Sequence, residues 1–198
     1  GRAGLGFIGK NGLLITPQWG SFVYLGGMIT SLPLEPDPPG IFACGSCTRC
    51  LDACPTQALI GNGRMNAKRC ISYQTQNKEM IPTELRKKLG KQLYGCDICQ
   101  WSCPFNKHIE PPTCKDTFPK KDTAHPELLP LLTLSNKAFQ EQFGSSAGSW
   151  RGKRTLQRNA IIALTNVNAR EALPTIETLL YDLRPVIRAT AVWSVSIL

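Results

Sequence analysis

Apolar residues recur at helical spacing through the last third of the chain. In TLQRNAIIALTNV, residues Leu156, Ala160, Ala163, Leu164 and Val167 form a helical stripe. ALPTIETLLYD places Leu173, Ile176, Leu179 and Leu180 in the same way, and VIRATAVWSVSIL repeats the pattern. An intervening helix is predicted to start near Pro174, and Pro185 precedes the last one. Proline is tolerated at a helix start because the first-turn N–H has no intrahelical partner to lose. Ala160, Ala163 and Leu164 match Ala191, Ser194 and Val195 at an offset of 31. Helix pairs repeating at this scale predict an α-solenoid of HEAT-like repeats, with an ordinary helical bundle as the alternative. The chain stops at Leu198 inside the last stripe, so a truncated C-terminus is expected.

The front of the chain lacks this periodicity. Residues 1–40 are rich in glycine and apolar groups and end in LPLEPDPPG, which reads as an extended linker. The longest apolar run, around Phe22 to Met28, is broken by Gly26 and Gly27 and is too short to span a membrane. No signal peptide is visible. The chain opens on GRAGLGFIGKNG without an initiator Met, so its true beginning is expected upstream. GLGFIG, Gly4 to Gly9, formally fits G-x-G-x-x-G, but no strand precedes it and the nearest downstream acid is Glu35, past a proline-rich turn. Dinucleotide binding needs both features. Close approach of glycine backbone to a large ligand is the use left for it. At 198 residues, 42% hydrophobic and 19% charged, the chain suits one or two small soluble globular domains.

The chemistry lies between these regions, where residues 41–114 hold all nine cysteines. An odd count without a signal peptide argues against a secreted disulfide scaffold and for metal in a reducing cytoplasm. CGSCTRCLDACP carries Cys44, Cys47, Cys50, Cys54 and Pro55. This is a complete bacterial ferredoxin run, in which three thiolates hold one 4Fe–4S cluster and the fourth serves its neighbour. Zinc sites commonly use two separate Cys-x2-Cys pairs instead. LYGCDICQWSCPFNK supplies Cys96, Cys99, Cys103 and Pro104, but Leu93 stands where a first cysteine would be. Crossing the ligands gives cluster one Cys44, Cys47, Cys50 and Cys103. Cluster two receives Cys54, Cys96 and Cys99 and needs one more thiolate. Cys70 and Cys114 are the candidates. Cys70, between the two runs in NAKRCISYQ, leaves the connecting segment free to loop back and is favoured. Cys114 is then a free cysteine or an alternative ligand.

Formal charge is +9. Two oxidised clusters, each about −2 with its thiolates, lower it to roughly +5. A positive balance favours a polyanionic partner such as nucleic acid. SWRGKRTLQRNA gathers Arg151, Lys153, Arg154 and Arg158 beside Trp150. This pattern suits phosphate contacts with an aromatic ring for a splayed base, or equally a solvated basic face with Trp150 in the core.

AGLGFIGKNGLL, CGSCTRCLDACPTQAL, NAKRCISYQT, LYGCDICQWSCPFNK and WRGKRTLQRNAIIALTN occur in this order. Together they resemble the epoxyqueuosine reductases, corrinoid iron–sulfur enzymes that complete queuosine in tRNA. The resemblance spans nearly the whole chain and includes the displaced ligand at Cys70. It implies an α+β fold in three parts. Residues 1–40 would be the remnant of an α/β cobalamin-binding domain, 41–114 a ferredoxin-like domain with two 4Fe–4S clusters, and 125–198 HEAT-like repeats gripping a tRNA anticodon stem-loop. It places Lys10, Asn11, Ser21, Ser72 and Asp97 near cobalamin, and Trp150, Arg151, Lys153, Arg154 and Arg158 on the tRNA. It implies a cytoplasmic monomer, away from membranes, fed by a low-potential electron donor. The family's general-acid aspartate is expected upstream of Gly1, so no catalytic residue is expected in this chain. The competing expectations are a ferredoxin-like electron-transfer module without catalysis, and a related corrinoid reductase acting on a small organic substrate.

Overall fold

The computed structural model describes residues 1–109 and 120–198; Cys114 lies outside the described residues. The chain forms two compact units, one of residues 1–70 and 97–109, the other of residues 71–96 and 120–198.

The first unit opens with a hairpin of β1 (Phe7–Ile8) and β2 (Leu14–Ile15), in the register Phe7 to Ile15 and Ile8 to Leu14. The glycines of GLGFIG serve this hairpin. A Cβ on Gly6 would collide with the Ile15 carbonyl, and one on Gly9 would lie 2.5 Å from Ile15 Cδ1. The close approach expected of these glycines is therefore to the chain's own second strand. Residues 22–43 have no regular secondary structure and leave Tyr24, Leu25, Met28, Ile29, Leu32, Leu34 and Ile41 exposed. Helix α1 (Arg49–Ala53) carries Cys50 and ends at Cys54, where the backbone turns extended before Pro55. A short hairpin follows, β3 (Leu59–Gly61) with β4 (Arg64–Met65), its turn made by Asn62 and Gly63 at positive φ.

The second unit is helical. Helix α2 (Ile71–Gln76) and helix α3 (Thr83–Arg86) precede the return of the chain to Cys96. In the first unit again, α4 (Ile98–Trp101) carries Cys99 and packs on α1, so the two cysteine runs meet helix to helix. The second unit then continues through α5 (Lys121–Ala124), α6 (Leu128–Thr133), α7 (Asn136–Phe143), α8 (Lys153–Asn166), α9 (Leu173–Thr178) and α10 (Pro185–Val195). Pro174 lies in the first turn of α9 and Pro185 opens α10, as their missing N–H allows. The main core joins Leu131, Leu132, Phe139 and Phe143 to Leu156, Ala160, Ile161 and Leu164, and to Ile176, Ile187 and Ala191. A second core joins Ile71, Ile81, Leu85 and Leu89 to Ile162, with Cys96 packed against it.

Helix α8 differs from its expected single stripe. Every residue from Thr155 to Thr165 is buried, the polar ones included. It packs against α6, α10 and α2. Its polar groups have partners: Gln157 Nε2 donates to the Leu131 and Leu132 carbonyls, and the Thr165 hydroxyl pairs with that of Ser194. The units cut the chain differently from the three expected regions. Residues 71–96, counted with the cysteine region, bury their apolar groups on α8 and so belong to the helical unit.

Candidate iron–sulfur centre and basic face

Cys44, Cys47, Cys50 and Cys103 line one cavity, together with Lys10, Asn11, Ile15, Pro104 and Phe105. These are the four cysteines that the spacing assigns to cluster one. Cys103 is buried at 6% exposure and the other three are half-buried. Among the described residues no three His, Cys, Asp or Glu side chains converge as ligands of a single ion would. The four thiols are spread over the walls of the cavity instead.

Electrostatics ties them together. Burial, then repulsion from Cys44 and Cys103, pushes the Cys50 thiol up, with two backbone N–H groups opposing. Burial likewise pushes the Cys103 thiol up, and repulsion from Cys44 and Cys47 adds to it. An iron–sulfur core relieves this repulsion by binding the thiolates. The surroundings offer donors rather than acceptors. The Lys10 N–H donates to Cys44 Sγ at 3.4 Å, and Lys10 Nζ donates to the Gly45 and Cys47 carbonyls at 2.9 Å each. Asn11 is 4% exposed, its Oδ1 accepting the Leu13 N–H while its Nδ2 is buried without a partner. A buried amide donor on a thiol-lined wall suits a sulfide or thiolate acceptor. The residues present fit a 4Fe–4S cluster.

Of the four ligands expected for cluster two, Cys54, Cys70 and Cys99 belong to the first unit, and Cys96 ends the 71–96 segment of the second. Cys54 Sγ accepts the Ala58 N–H at 3.3 Å. Burial raises its pKa, but that bond, the Thr56 hydroxyl and the Thr56 and Leu59 N–H groups outweigh it, and the thiol is held below its ordinary value. Cys70 leaves a single 3₁₀ turn, Ala67–Arg69, in extended conformation. Arg69 Nε donates to the Thr56 carbonyl at 2.8 Å, which ties the Cys70 turn to the Cys54 loop.

The residues expected near cobalamin also make contacts within the protein. Lys10 and Asn11 sit on the cluster-one wall. Ser21 is buried, its hydroxyl donating to Gln100 Oε1 and accepting from Asn106 Nδ2, while its N–H donates to Asn106 Oδ1. This knot fastens the N-terminal segment to the second cysteine run. It requires glycine at position 20, where a Cβ would collide with Asn106 Oδ1. Asp97 accepts from Gln100 Nε2, and Ser72 Oγ accepts from Gln76 Nε2. Sequence reasoning passed over Gln100 and Asn106. Their place just before and after the Cys103-Pro104 step was the only signal they carried.

The basic segment divides. Trp150 is 60% exposed, with the Arg151 guanidinium stacked 3.6 Å above its ring, and its indole N–H donates to the Tyr94 hydroxyl. Arg154 is half-exposed. Lys153 Nζ donates to the Leu134 carbonyl, and burial, then Arg184, lowers its pKa. Arg158 corrects the expectation of a phosphate contact. It is 1% exposed, and its guanidinium donates to the carbonyls of Gln74, Asn77 and Glu79 and to Asn159 Oδ1. Burial, then repulsion from Arg154 and Arg86, pushes its pKa down to about 10, so it stays charged at neutral pH.

A cavity lined by four thiols from two cysteine runs is the mark of an iron–sulfur protein, and residues 43–106 match the family described as "4Fe-4S double cluster binding domain". The likeness extends much further than those residues. The chain is 51% identical over 195 residues to an epoxyqueuosine reductase of Lactococcus garvieae, covering 98% of this chain and 56% of that protein. It is 52% identical over 199 residues to that of Bacillus subtilis, covering 98% of this chain and 50% of the relative. A solved epoxyqueuosine reductase holding a tRNA-Tyr epoxyqueuosine-modified stem loop superposes with a TM-score of 0.94 at 52% identity, over 98% of this chain and 52% of that one. The chain belongs to the epoxyqueuosine reductase family. It spans about half the length of the curated relatives it matches.

Proposed function

We propose that this chain supplies the electron-transfer centre and part of the tRNA-binding surface of an epoxyqueuosine reductase, which reduces epoxyqueuosine to queuosine at the wobble position of tRNA. The observation that carries the reading is the likeness along 98% of the chain to a reductase solved with its modified stem loop. The thiol-lined cavity accords with it. In balance, the epoxide accepts two electrons and two protons, its C–O bonds give way to a C=C bond, and water leaves.

Cys44, Cys47, Cys50 and Cys103 would hold cluster one, and Cys54, Cys70, Cys96 and Cys99 cluster two. Such clusters supply single electrons at low potential. Lys10 holds the Cys44–Cys47 loop by its carbonyls, and Asn11 offers a donor to the sulfur wall. Hydrogen bonds to sulfur raise a cluster's potential and fix its orientation. Cobalamin belongs to this reading through the family resemblance. Lys10, Asn11, Ser21, Ser72 and Asp97 are the residues of this chain assigned to it, Ser72 and Asp97 being close in sequence to cluster-two cysteines. The three C-terminal helical stripes are read as HEAT-like repeats presenting Trp150, Arg151 and Arg154 to the anticodon stem-loop.

Anaerobic turnover tests the reading. The full-length protein, with clusters and cobalamin loaded and a low-potential reductant present, is given tRNA bearing epoxyqueuosine. Mass spectrometry of the digested nucleosides should show loss of one oxygen. Intact clusters and bound cobalamin without conversion would reassign the chain to a corrinoid reductase with another substrate. Failure to bind cobalamin would leave an electron-transfer module.

A further inference from the structure

We propose that Arg158 and Asn159 are positioning residues for cluster two: from the buried helix α8 they fix the segment that ends in Cys96. The proposal rests on the reading of Cys96 as a ligand of that cluster. Residues 71–96 begin directly after Cys70 and end at Cys96, and their helices α2 and α3 have six and four residues. Helices this short are not stable alone. The last carbonyls of α2 lack intrahelical donors, as at any helix C-terminus. Arg158 supplies donors at this end. Its Nη2 donates to the Gln74 carbonyl at 2.7 Å, and its Nη1 to those of Asn77 at 2.6 Å and Glu79 at 2.5 Å.

Asn159 completes the arrangement. Its Oδ1 accepts from Arg158 Nε and Nη2, so all five guanidinium N–H groups have acceptors. Its Nδ2 donates to the Thr75 carbonyl at 2.7 Å and the Leu93 carbonyl at 2.8 Å. Thr75 Oγ1 in turn accepts the Gly95 N–H at 3.0 Å. Leu93 and Gly95 are thus anchored on either side of Tyr94, immediately before Cys96. A buried guanidinium that meets only neutral oxygens is a poor source of stability compared with a well-packed apolar side chain. What it provides is direction, since a rigid fork with five donors fixes its four acceptors in space. A cluster needs its thiolates in fixed places, and supporting bonds of this kind set them.

The test uses the full-length protein, reconstituted anaerobically as wild type and as Cys96→Ala, Arg158→Met, Arg158→Lys and Asn159→Asp. Iron and acid-labile sulfide per chain are measured, with electron paramagnetic resonance of the reduced clusters and circular dichroism as a check on folding. Cys96→Ala should lose about half of the iron. Arg158→Met should lose the same cluster's signal and keep the other, and Arg158→Lys should recover part of it. Asn159→Asp keeps the size of the side chain and its bonds to Arg158 but removes both donors, so it should weaken the same signal even if Arg158→Met does not fold. If Cys96→Ala loses half its iron while folded Arg158→Met and Asn159→Asp keep full iron and both wild-type signals, the positioning role is overturned. Full iron in Cys96→Ala would overturn the ligand reading, and the proposal with it.

Discussion

Lys10 clasps the loop proposed to carry two cluster-one ligands, Cys44 and Cys47. Its ammonium donates to the Gly45 and Cys47 carbonyls, and its backbone N–H to Cys44 Sγ. Lys10→Met keeps the aliphatic stem and removes only the ammonium donors, so the loop carrying Cys44 and Cys47 loses its clasp. The expected outcome is bleaching of cluster one by a chelator about tenfold faster, as for other supporting groups around metal ligands. Bleaching at the wild-type rate would show that the clasp is incidental. At this scale the grouping of Cys44, Cys47, Cys50 and Cys103 around one cavity was legible in the sequence because ligand spacing is local. Arg158 was not legible. Charge pattern puts it in line with Arg151 and Arg154, and only tertiary packing shows that its acceptors are carbonyls 79 to 84 residues earlier in the chain. The partners of Ser21 were not legible for a similar reason, since Gln100 and Asn106 come from the second cysteine run.

Among the elements, α8 carries the second unit. Its apolar stripe and the prolines in the first turns of α9 and α10 follow from the sequence, because helical periodicity and proline chemistry act within a few residues. Its burial on all sides does not, since the face bearing Arg158, Asn159 and Ile162 is covered by the 71–96 segment, whose short helices carry little periodic signal of their own. Ile162 sits at that junction, 1% exposed, in the core with Ile71, Ile81, Leu85 and Leu89. Ile162→Ala should therefore cost about 2–5 kcal/mol, read from denaturant unfolding of the second unit's helical signal. A cost within the range of surface changes, about 0.5 kcal/mol, would mean that the segment does not pack on α8 in solution.

For the whole molecule the governing quantity is charge. The chain carries +9, or roughly +5 with two clusters bound, and the partner proposed for it, tRNA, is a polyanion. Net charge alone gives attraction without a place of contact. The place is narrowed by burial: Arg158 faces protein oxygens and Lys153 faces the Leu134 carbonyl, while Arg151 on Trp150 and Arg154 retain access to solvent. Each phosphate neutralised by such a group releases counterions, so affinity falls with salt in proportion to the number of phosphates engaged. Arg151→Gln with Arg154→Gln should weaken binding of the modified stem loop and lower the slope of log K against log salt by about one for each phosphate no longer neutralised. Trp150→Ala acts differently, because stacking is not a counterion effect. It should weaken binding by about 1–3 kcal/mol and leave the salt slope as it was. Titration of the stem loop at several salt concentrations separates the two. If the arginine pair leaves the slope unchanged, the phosphates are held elsewhere on the protein; if Trp150→Ala changes it, the ring serves to hold Arg151 in place instead of stacking on a base.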